Sequence, residues 1–427
     1  MKRFSLFLVG YLCVLGSVLA QTKAMQAPRP YDMYSTPPPA ALQPRSPQQM
    51  MLKQQRSQQA QNQRLIQQAQ QREHERQSLK QKKIVEGIHY GLGPYIIWQR
   101  NLLYRDAANS IYQMLQGTHP FNLRKAVYKV ENAYLDGDLS KTWFDSTIQN
   151  TILLLKVYCK KNKYALNTNT DKNLALVHLL TKGIHAKHPV TKQRITIPPY
   201  QYDFEDYIGE KDHTKMFVSK LLRTGSGNCH SLPLLYLLLA EELGAKAHLA
   251  YAPSHSYIMF QNEEGQWLNY ETTNRFIISN QLLMSSGFVK AEAIKSGIFI
   301  QPVDQKELLV QCTMDLANAY EVKFGLDENC IGMVSRVQDY APMNIYLVMH
   351  FSNYQTKLAM YVEKQLLLRE DYSSTDDLPK YPIALNIFNE MMRLYDIIDE
   401  RGYAPIPKEA YEAWLQDIQK AKAQQDE

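Results

Sequence analysis

The feature that most constrains the fold is an almost wholly apolar stretch between two helix-end signals. Residues 231–244 read SLPLLYLLLAEELG. Pro233 lacks an amide hydrogen and fits only the first turn of a helix, whereas Gly244 suits a left-handed cap at its end. Apolar side chains surround this helix on nearly every side at Leu234, Leu235, Leu237, Leu238 and Leu239. The pattern therefore predicts a central helix buried on all faces.

A cysteine, Cys229, stands directly before this predicted helix and follows the flexible sequence TGSGN. The unpaired amides of the first helical turn and the positive end of the helix dipole both favour a thiolate over a thiol. The same amides can stabilise a developing oxyanion. A free cysteine is also commonly a buried structural residue, and this interpretation stays open from Cys229 alone.

The next segments predict a β-hairpin that carries a histidine and an acid. AHLAYAP and SYIMFQ have strand character, and the sequence NEEG that follows suits a type I turn with glycine at the left-handed position. In that register Asn262 pairs with Gln266, which places Tyr257 opposite Glu271. His255 then lies diagonally on the same face as Glu271. A slip of one residue would place Glu271 on the opposite face.

Cys229, His255 and Glu271 are the residue types that nucleophilic amide chemistry needs: a thiol, a base, and a group that orients the base. Asn269 shares the hairpin face and is the second candidate for orienting the histidine. Adjacent helical residues point about 100° apart, so His230 is better interpreted as a wall or loop ligand than as the base.

We expect further support around the thiol from Asn228 and Tyr257. No paired ligand spacing that would suit a metal ion is present, so we expect neither a metal nor another cofactor.

The order GNC, helix, histidine, hairpin, acid-Thr resembles the transglutaminase-like superfamily, whose core is a papain-like α+β fold with a Cys-His-Asp triad. Bacterial members in which tetratricopeptide-like helices follow this core are the most similar variety. The resemblance implies an α+β fold in which the helix that begins at the cysteine packs on an antiparallel sheet, with an all-helical region after it. Carried over by position, it implies Cys229 as nucleophile, His255 as base and Glu271 as third member.

Two positions depart from the family pattern. The acid is Glu271 followed by Thr272, where the family usually has aspartate and proline. Ser256 and Tyr257 follow the histidine, where tryptophan or a similar residue is usual. Some relatives with altered triads are non-enzymatic scaffolds.

We expect four regions along the chain. Residues 1–20 have the basic start, short apolar run and small residues of a signal peptide cleaved after Ala20. Residues 21–83 are Pro-rich and then Gln-rich, which predicts a disordered linker. Residues 84–300 form the transglutaminase-like domain, and residues 301–427 a helical region. That region has two open interpretations: tetratricopeptide-like pairs, with Tyr320 and Tyr354 one repeat apart, or a helical appendage.

Charge and cysteine content exclude some classes of protein. The net charge of +6 falls to +4 when Lys2 and Arg3 leave with the signal peptide, and residues 21–83 carry 11 − 3 = +8. The folded remainder is therefore 4 − 8 = −4, which argues against nucleic-acid binding. Four cysteines remain after residue 20, too few for a disulfide-built fold. Cys312 and Cys330 could pair, but independent thiols are the preferred interpretation.

These features predict a secreted or periplasmic thiol enzyme of peptidase or amidase type. Its substrate would be a peptide or protein amide, including amides of the cell envelope, and no transmembrane anchor is expected after signal cleavage. The alternative is a catalytically inactive transglutaminase-like scaffold that binds a protein or envelope partner through its helical C-terminal region.

Overall fold

The computed structural model describes Gln67, Gln71 and residues 87–93, 102–286 and 289–426. The predicted signal peptide and almost all of the predicted linker lie outside these residues. Residues from Tyr90 onward belong to one compact unit, which contains every element described below.

Four helices begin the unit: α1 (Leu102–Leu115), α2 (Leu123–Tyr134), α3 (Lys141–Lys161) and α4 (Asn169–Lys182). The spacing of apolar residues such as Ile111, Met114 and Leu115 predicts helices between Ile96 and Tyr164, and the structure confirms them in the described part of that stretch. The sequence NLALVHLLTK predicts a further short helix over residues 173–182, and α4 begins four residues earlier, at Asn169. The reason is a capping box, in which Thr168 accepts from the Asp171 amide and Asp171 accepts from the Thr168 amide.

Three small sheets follow. β1 (Ile184–Lys187) and β2 (Arg194–Ile197) form an antiparallel pair, and β3 (Gln201–Tyr202) lies parallel to β4 (Ser226–Gly227). The paired prolines in residues 195–207 predict an irregular segment or a poor edge strand. The stretch contains the last three residues of β2 and all of β3, and Pro198 and Pro199 separate the two strands because neither can donate to a ladder.

The third sheet has four antiparallel strands in chain order: β5 (His248–Ala252), β6 (His255–Gln261), β7 (Trp267–Glu271) and β8 (Phe276–Ile278). Ile258 pairs with Tyr270 across β6 and β7. The Asn262 amide donates to the Gln266 carbonyl at 3.0 Å. These pairs confirm the hairpin register predicted from the sequence.

A central helix separates this sheet from the first helices. After the short α5 (Val218–Thr224), helix α6 runs over Ser231–Leu243 and ends at Gly244, which has a φ of 72°. Helix α6 contacts α3, α4 and α5 as well as strands β5 and β6. All its leucines are buried. The prediction of a central buried helix is therefore confirmed, and the mixed architecture is α+β.

The C-terminal part is helical: α7 (Asn280–Ser286), α8 (Ala291–Lys295), α9 (Gln305–Phe324), α10 (Glu328–Ser335), α11 (Ile345–Leu366), α12 (Pro382–Glu400) and α13 (Lys408–Asp426). Helix α9 packs against α1, α2 and α10, and α11 pairs with α12. Because α9 lies against the first helices of the chain, its buried residues belong to the same core as theirs.

Two further properties concern the described residues alone. Cys159, Cys229, Cys312 and Cys330 are all free thiols, so Cys312 and Cys330 do not pair. Within the ranges given above, none of the helices combines the length and the apolar character that crossing a bilayer requires.

Candidate active site

The turn that holds Cys229 is fixed by Asn228. Its side-chain oxygen accepts hydrogen bonds from the His230 and Ser231 amides at 3.1 and 2.9 Å, and its side-chain nitrogen donates to the Tyr207 carbonyl at 2.9 Å. An acceptor of this kind satisfies amides at a helix start. Gly227 is also required here, because a Cβ atom would lie 2.6 Å from the Ser231 hydroxyl. Asn228 therefore supports the thiol by holding the helix start.

His255 and Glu271 lie at neighbouring ends of β6 and β7. His255 Nε2 is 2.8 Å from Glu271 Oε1, and the two residues are only 7% and 1% exposed. The Glu271 carboxylate also accepts from the amides of Thr273 and Asn274, at 3.0 and 3.2 Å. A buried carboxylate with this many donors orients the imidazole and stabilises its charged form.

Because Nε2 of His255 faces Glu271, the other ring nitrogen, the buried Nδ1, is the one left to interact with the Cys229 thiol. The Cys229 thiol lies near enough that each group changes the pKa of the other. Burial raises the pKa of the thiol, but the hydrogen bond and charge of His255, the charge of His230 and the Tyr411 hydroxyl outweigh it, so the net pKa is lowered.

For the imidazole of His255, burial lowers the pKa, but Glu271 and Cys229 outweigh it and raise the pKa to about 10. The thiol pKa is lowered while the imidazole pKa is raised. These shifts together favour a thiolate–imidazolium pair at neutral pH.

Ser256 ties the histidine strand to the cysteine turn, because its hydroxyl donates to the Cys229 carbonyl. This contact occurs at a position where the chain departs from the family pattern, and sequence reasoning did not assign it a role. Tyr257, predicted as a support, is fully buried, and its hydroxyl donates to the sulfur of Met259 at 3.9 Å. Tyr257 therefore packs in the core beneath the strand.

Asn269, the second candidate for orienting the histidine, points elsewhere. Its side-chain nitrogen donates to the Ile278 carbonyl at 3.1 Å and to Asn280 Oδ1 at 2.6 Å. Although Asn269 lies in β7 as expected, these bonds attach the strand to β8 and the helix that follows it. The orienting contact to His255 comes from Glu271.

His230 forms an ion pair that the sequence did not reveal. Its Nε2 lies 3.2 Å from Asp315 Oδ2 on helix α9. Burial lowers the pKa of His230, but the charge and hydrogen bond of Asp315 outweigh it, and the net pKa is raised. His230 therefore carries more positive charge near neutral pH than a free imidazole would, and Asp315 of α9 is the cause. Asp315 is separated from His230 by 85 positions, which no local pattern could bridge.

The C-terminal helix α13 contributes two aromatic residues that sequence reasoning also missed. The Tyr411 hydroxyl lies 4.0 Å from Cys229 Sγ and 3.3 Å from the Tyr202 hydroxyl. The Trp414 ring packs edge-on against the His255 ring, with centroids 5.4 Å apart. The available signal was their spacing, because residues three apart lie on one face of a helix.

A cavity of about 130 Å³ opens beside Cys229 and His255. Its other walls come from helices α9 and α11, as well as from Tyr207 and Tyr403. Among the residues that the structure describes, no group of three or more His, Cys, Asp or Glu side chains is arranged to hold a metal ion. The chemistry that this arrangement offers is nucleophilic attack by a thiolate.

Comparisons with known proteins name no relative at the sequence level. The chain matches no protein-family model, and no curated protein matches it. Among solved structures, the chain is similar to menin, in a crystal structure described as revealing the binding site for the Mixed Lineage Leukemia (MLL) protein. The two share 12% identity with a TM-score of 0.33, over 74% of this chain and 88% of that one.

Proposed function

We propose that this protein is a thiol-dependent amide-bond enzyme of the transglutaminase-like type, in which Cys229, His255 and Glu271 act as nucleophile, acid–base and orienting group. The observation that carries the proposal is the buried His255–Glu271 hydrogen bond, which occupies Nε2 and leaves the buried Nδ1 to interact with the Cys229 thiol. Supporting it, a buried helix follows the cysteine and packs on an antiparallel sheet that carries the other two residues.

The reaction follows from the charges of the pair. The Cys229 thiolate attacks the carbonyl carbon of an amide, a C–S bond forms, and the carbonyl oxygen becomes an oxyanion. The His255 imidazolium gives its proton to the departing nitrogen as the C–N bond breaks, which leaves a thioester and a free amine. Water then attacks the thioester, its proton passes to the imidazole, and the C–S bond breaks to restore the thiolate.

The oxyanion needs donors at the start of helix α6. The Cys229 amide has no hydrogen-bond partner within the described part of the chain, and it stands next to the positive end of a thirteen-residue helix. A preorganised backbone donor of this kind contributes about 3 kcal/mol to the transition state. We favour hydrolysis over cross-linking because water is always present, whereas no site for a second, amine-bearing substrate is identified among the described residues.

Selective alkylation tests the proposal. We expect iodoacetamide near neutral pH to label Cys229 faster than a free model thiol, as measured by mass spectrometry of the digested protein. The chain supplies its own controls, because burial raises the pKa of the thiols of Cys159, Cys312 and Cys330. The variant His255→Ala should remove the fast labelling. A Cys229 that reacts no faster than the model thiol would contradict the proposal.

A second function, a non-catalytic binding scaffold, is favoured by one observation. Tyr411 and Trp414 of helix α13 lie against the thiol and the imidazole, and Tyr411 is only 4% exposed. A binding scaffold carries out no reaction, so its thiol can be covered by other side chains. In that case Cys229→Ala would leave partner binding and cellular phenotype unchanged, whereas loss of function in this variant, with its fold retained, supports the enzyme.

A further inference from the structure

The cavity beside the thiol continues as a groove between one face of α9 and one face of α11. On α9 it is lined by Gln311, Asn318 and Glu321, and on α11 by Tyr346, His350 and Asn353. The spacings of three, four and seven residues place each set on a single helix face. From Gln311 to Glu321 the groove follows ten residues of helix, or about 15 Å at 1.5 Å per residue.

One end of the groove lies at the candidate site. The Tyr251 hydroxyl donates to Gln311 Oε1 at 2.7 Å, and Gln311 Nε2 donates to Asp315 Oδ1 at 2.8 Å. The Tyr346 hydroxyl donates to the Ala252 carbonyl, three residues before His255, at 3.0 Å. These contacts hold Gln311 of α9 and Tyr346 of α11 beside strand β5, next to the site. Glu321 and Asn353 lie further along the two helices and therefore mark the end remote from the thiol.

The polar side chains at the two ends of the groove differ in whether they are hydrogen-bonded within the protein. Those near the thiol are bonded within the protein, as the previous contacts show. By contrast, the side chains of Asn318, Glu321 and His350 make no hydrogen bond to any residue of the described ranges, although Asn318 is only 8% exposed. Because these polar groups line the cavity and are not bonded within the described part of the protein, they are available to bond to something that enters the groove.

The charge at the remote end selects what can enter. Burial raises the pKa of Glu321 to about 7, and Lys357 opposes this shift only in part. Lys357 Nζ instead donates to the Leu326 carbonyl at 3.4 Å. His350 is uncharged near neutral pH, because burial lowers its pKa to about 4. A partly buried carboxyl group without a bonded cation is complemented by an ammonium or guanidinium group, which would ionise it fully.

We propose that the groove binds an extended peptide substrate whose basic side chain reaches Glu321 while its amide bond lies at Cys229. This inference rests on the proposed function, because the bound peptide is a substrate only if Cys229 attacks its amide bond. An extended strand rises about 3.3 Å per residue, so 15 Å accommodates about four residues. Asn318 and His350 face the middle of this path and bond to the peptide backbone.

Calorimetry on the Cys229→Ala protein tests the groove without any chemistry. The probes are five-residue peptide amides that contain one glutamine and carry lysine, norleucine or glutamate at one scanned position. We expect the lysine peptide to bind about 10- to 100-fold more tightly than the norleucine peptide, as for a charge-assisted hydrogen bond of about 1.5–3 kcal/mol. Glu321→Gln should abolish this preference, and Glu321→Lys should transfer it to the glutamate peptide.

The matched control is Glu370→Gln, the same change at an exposed position, which should keep the preference. Equal binding of the lysine and norleucine peptides, or a lysine preference that survives Glu321→Gln, overturns the inference. Alkylation of Cys229 remains an independent measurement. If the protein binds basic peptides but its thiol is unreactive, the groove proposal is supported and the proposed enzymatic function is contradicted. If the thiol is alkylated rapidly but no peptide is preferred, the enzymatic function is supported and the groove proposal is contradicted.

Discussion

Glu271 is the residue whose replacement most directly tests the charge of the candidate site. The change Glu271→Gln keeps the size and one oxygen of the side chain but removes its negative charge. His255 has its pKa raised from 6.5 to about 10, a difference of 10 − 6.5 = 3.5, or about 5 kcal/mol in total. Burial opposes this shift, so Glu271 and Cys229 together supply at least this much, and we assign the carboxylate, the larger contributor, about 2–3 kcal/mol.

Loss of the Glu271 carboxylate also changes the pKa of the Cys229 thiol. Without the carboxylate the imidazolium loses its proton more readily, and the thiolate loses the positive charge beside it. We therefore expect the pKa of the Cys229 thiol to rise, and labelling near neutral pH to slow by about tenfold or more.

The assay is the rate of iodoacetamide labelling of Cys229 between pH 4 and pH 10. In the unmodified protein the midpoint of the rate profile should lie below pH 9, because the thiol pKa is lowered from 9.0. Turnover has a second limit: it should fall as pH rises through about 10, because the imidazolium proton that the leaving amine needs is then lost.

The matched control is Glu264→Gln, the same change at the exposed tip of the same hairpin, where the labelling profile should not move. A Glu271→Gln protein whose labelling midpoint stays at that of the unmodified protein would refute the reasoning. It would mean that the negative charge of Glu271, acting through His255, does not stabilise the Cys229 thiolate.

Three further predictions follow from single contacts. Tyr411→Phe removes a hydroxyl that lowers the thiol pKa, so labelling of Cys229 at pH 7 should slow severalfold while thermal unfolding is little changed. Asp315→Asn removes the anion that holds the neighbouring imidazolium, and the midpoint of the labelling profile should move to higher pH. Leu235→Ala empties a fully buried position and should lower the free energy of unfolding by about 2–5 kcal/mol in urea titrations. The same change at the exposed Leu174 should have little effect.

The parts of the fold that local patterns determine were predictable from the sequence. Pro233 and Gly244 mark the two ends of the central helix, and the turn before Gln266 fixes which residues of the hairpin face each other. That register alone brings His255 and Glu271 to one face. These are short-range constraints, and each depends on residues that are close together in the chain.

The rest of the site arises from tertiary packing. Asp315 reaches His230 because α9 packs beside α2, and Tyr411 reaches Cys229 because α13 returns to the core. Neither sequence neighbourhood differs from an ordinary amphipathic helix, since a single charged or aromatic residue on a helix face has no local sign of its distant partner. The role expected for Asn269 had the same limit. The sheet face on which Asn269 lies was predictable, but the hydrogen bonds of its side-chain amide to Ile278 and Asn280 were not.

The proposed chemistry and the proposed peptide recognition depend on different parts of the chain. Cys229, His255 and Glu271 come from about forty consecutive positions around one helix and one sheet. The cation beside the thiol, the aromatic cover and the groove all depend on residues beyond position 300. A change in α9 can therefore act on the thiol through Asp315 or on the proposed peptide through Glu321, six residues further along the helix. Because these effects follow different residues, an Asp315 variant should change the pH profile of labelling, whereas a Glu321 variant should change peptide preference at an unchanged profile.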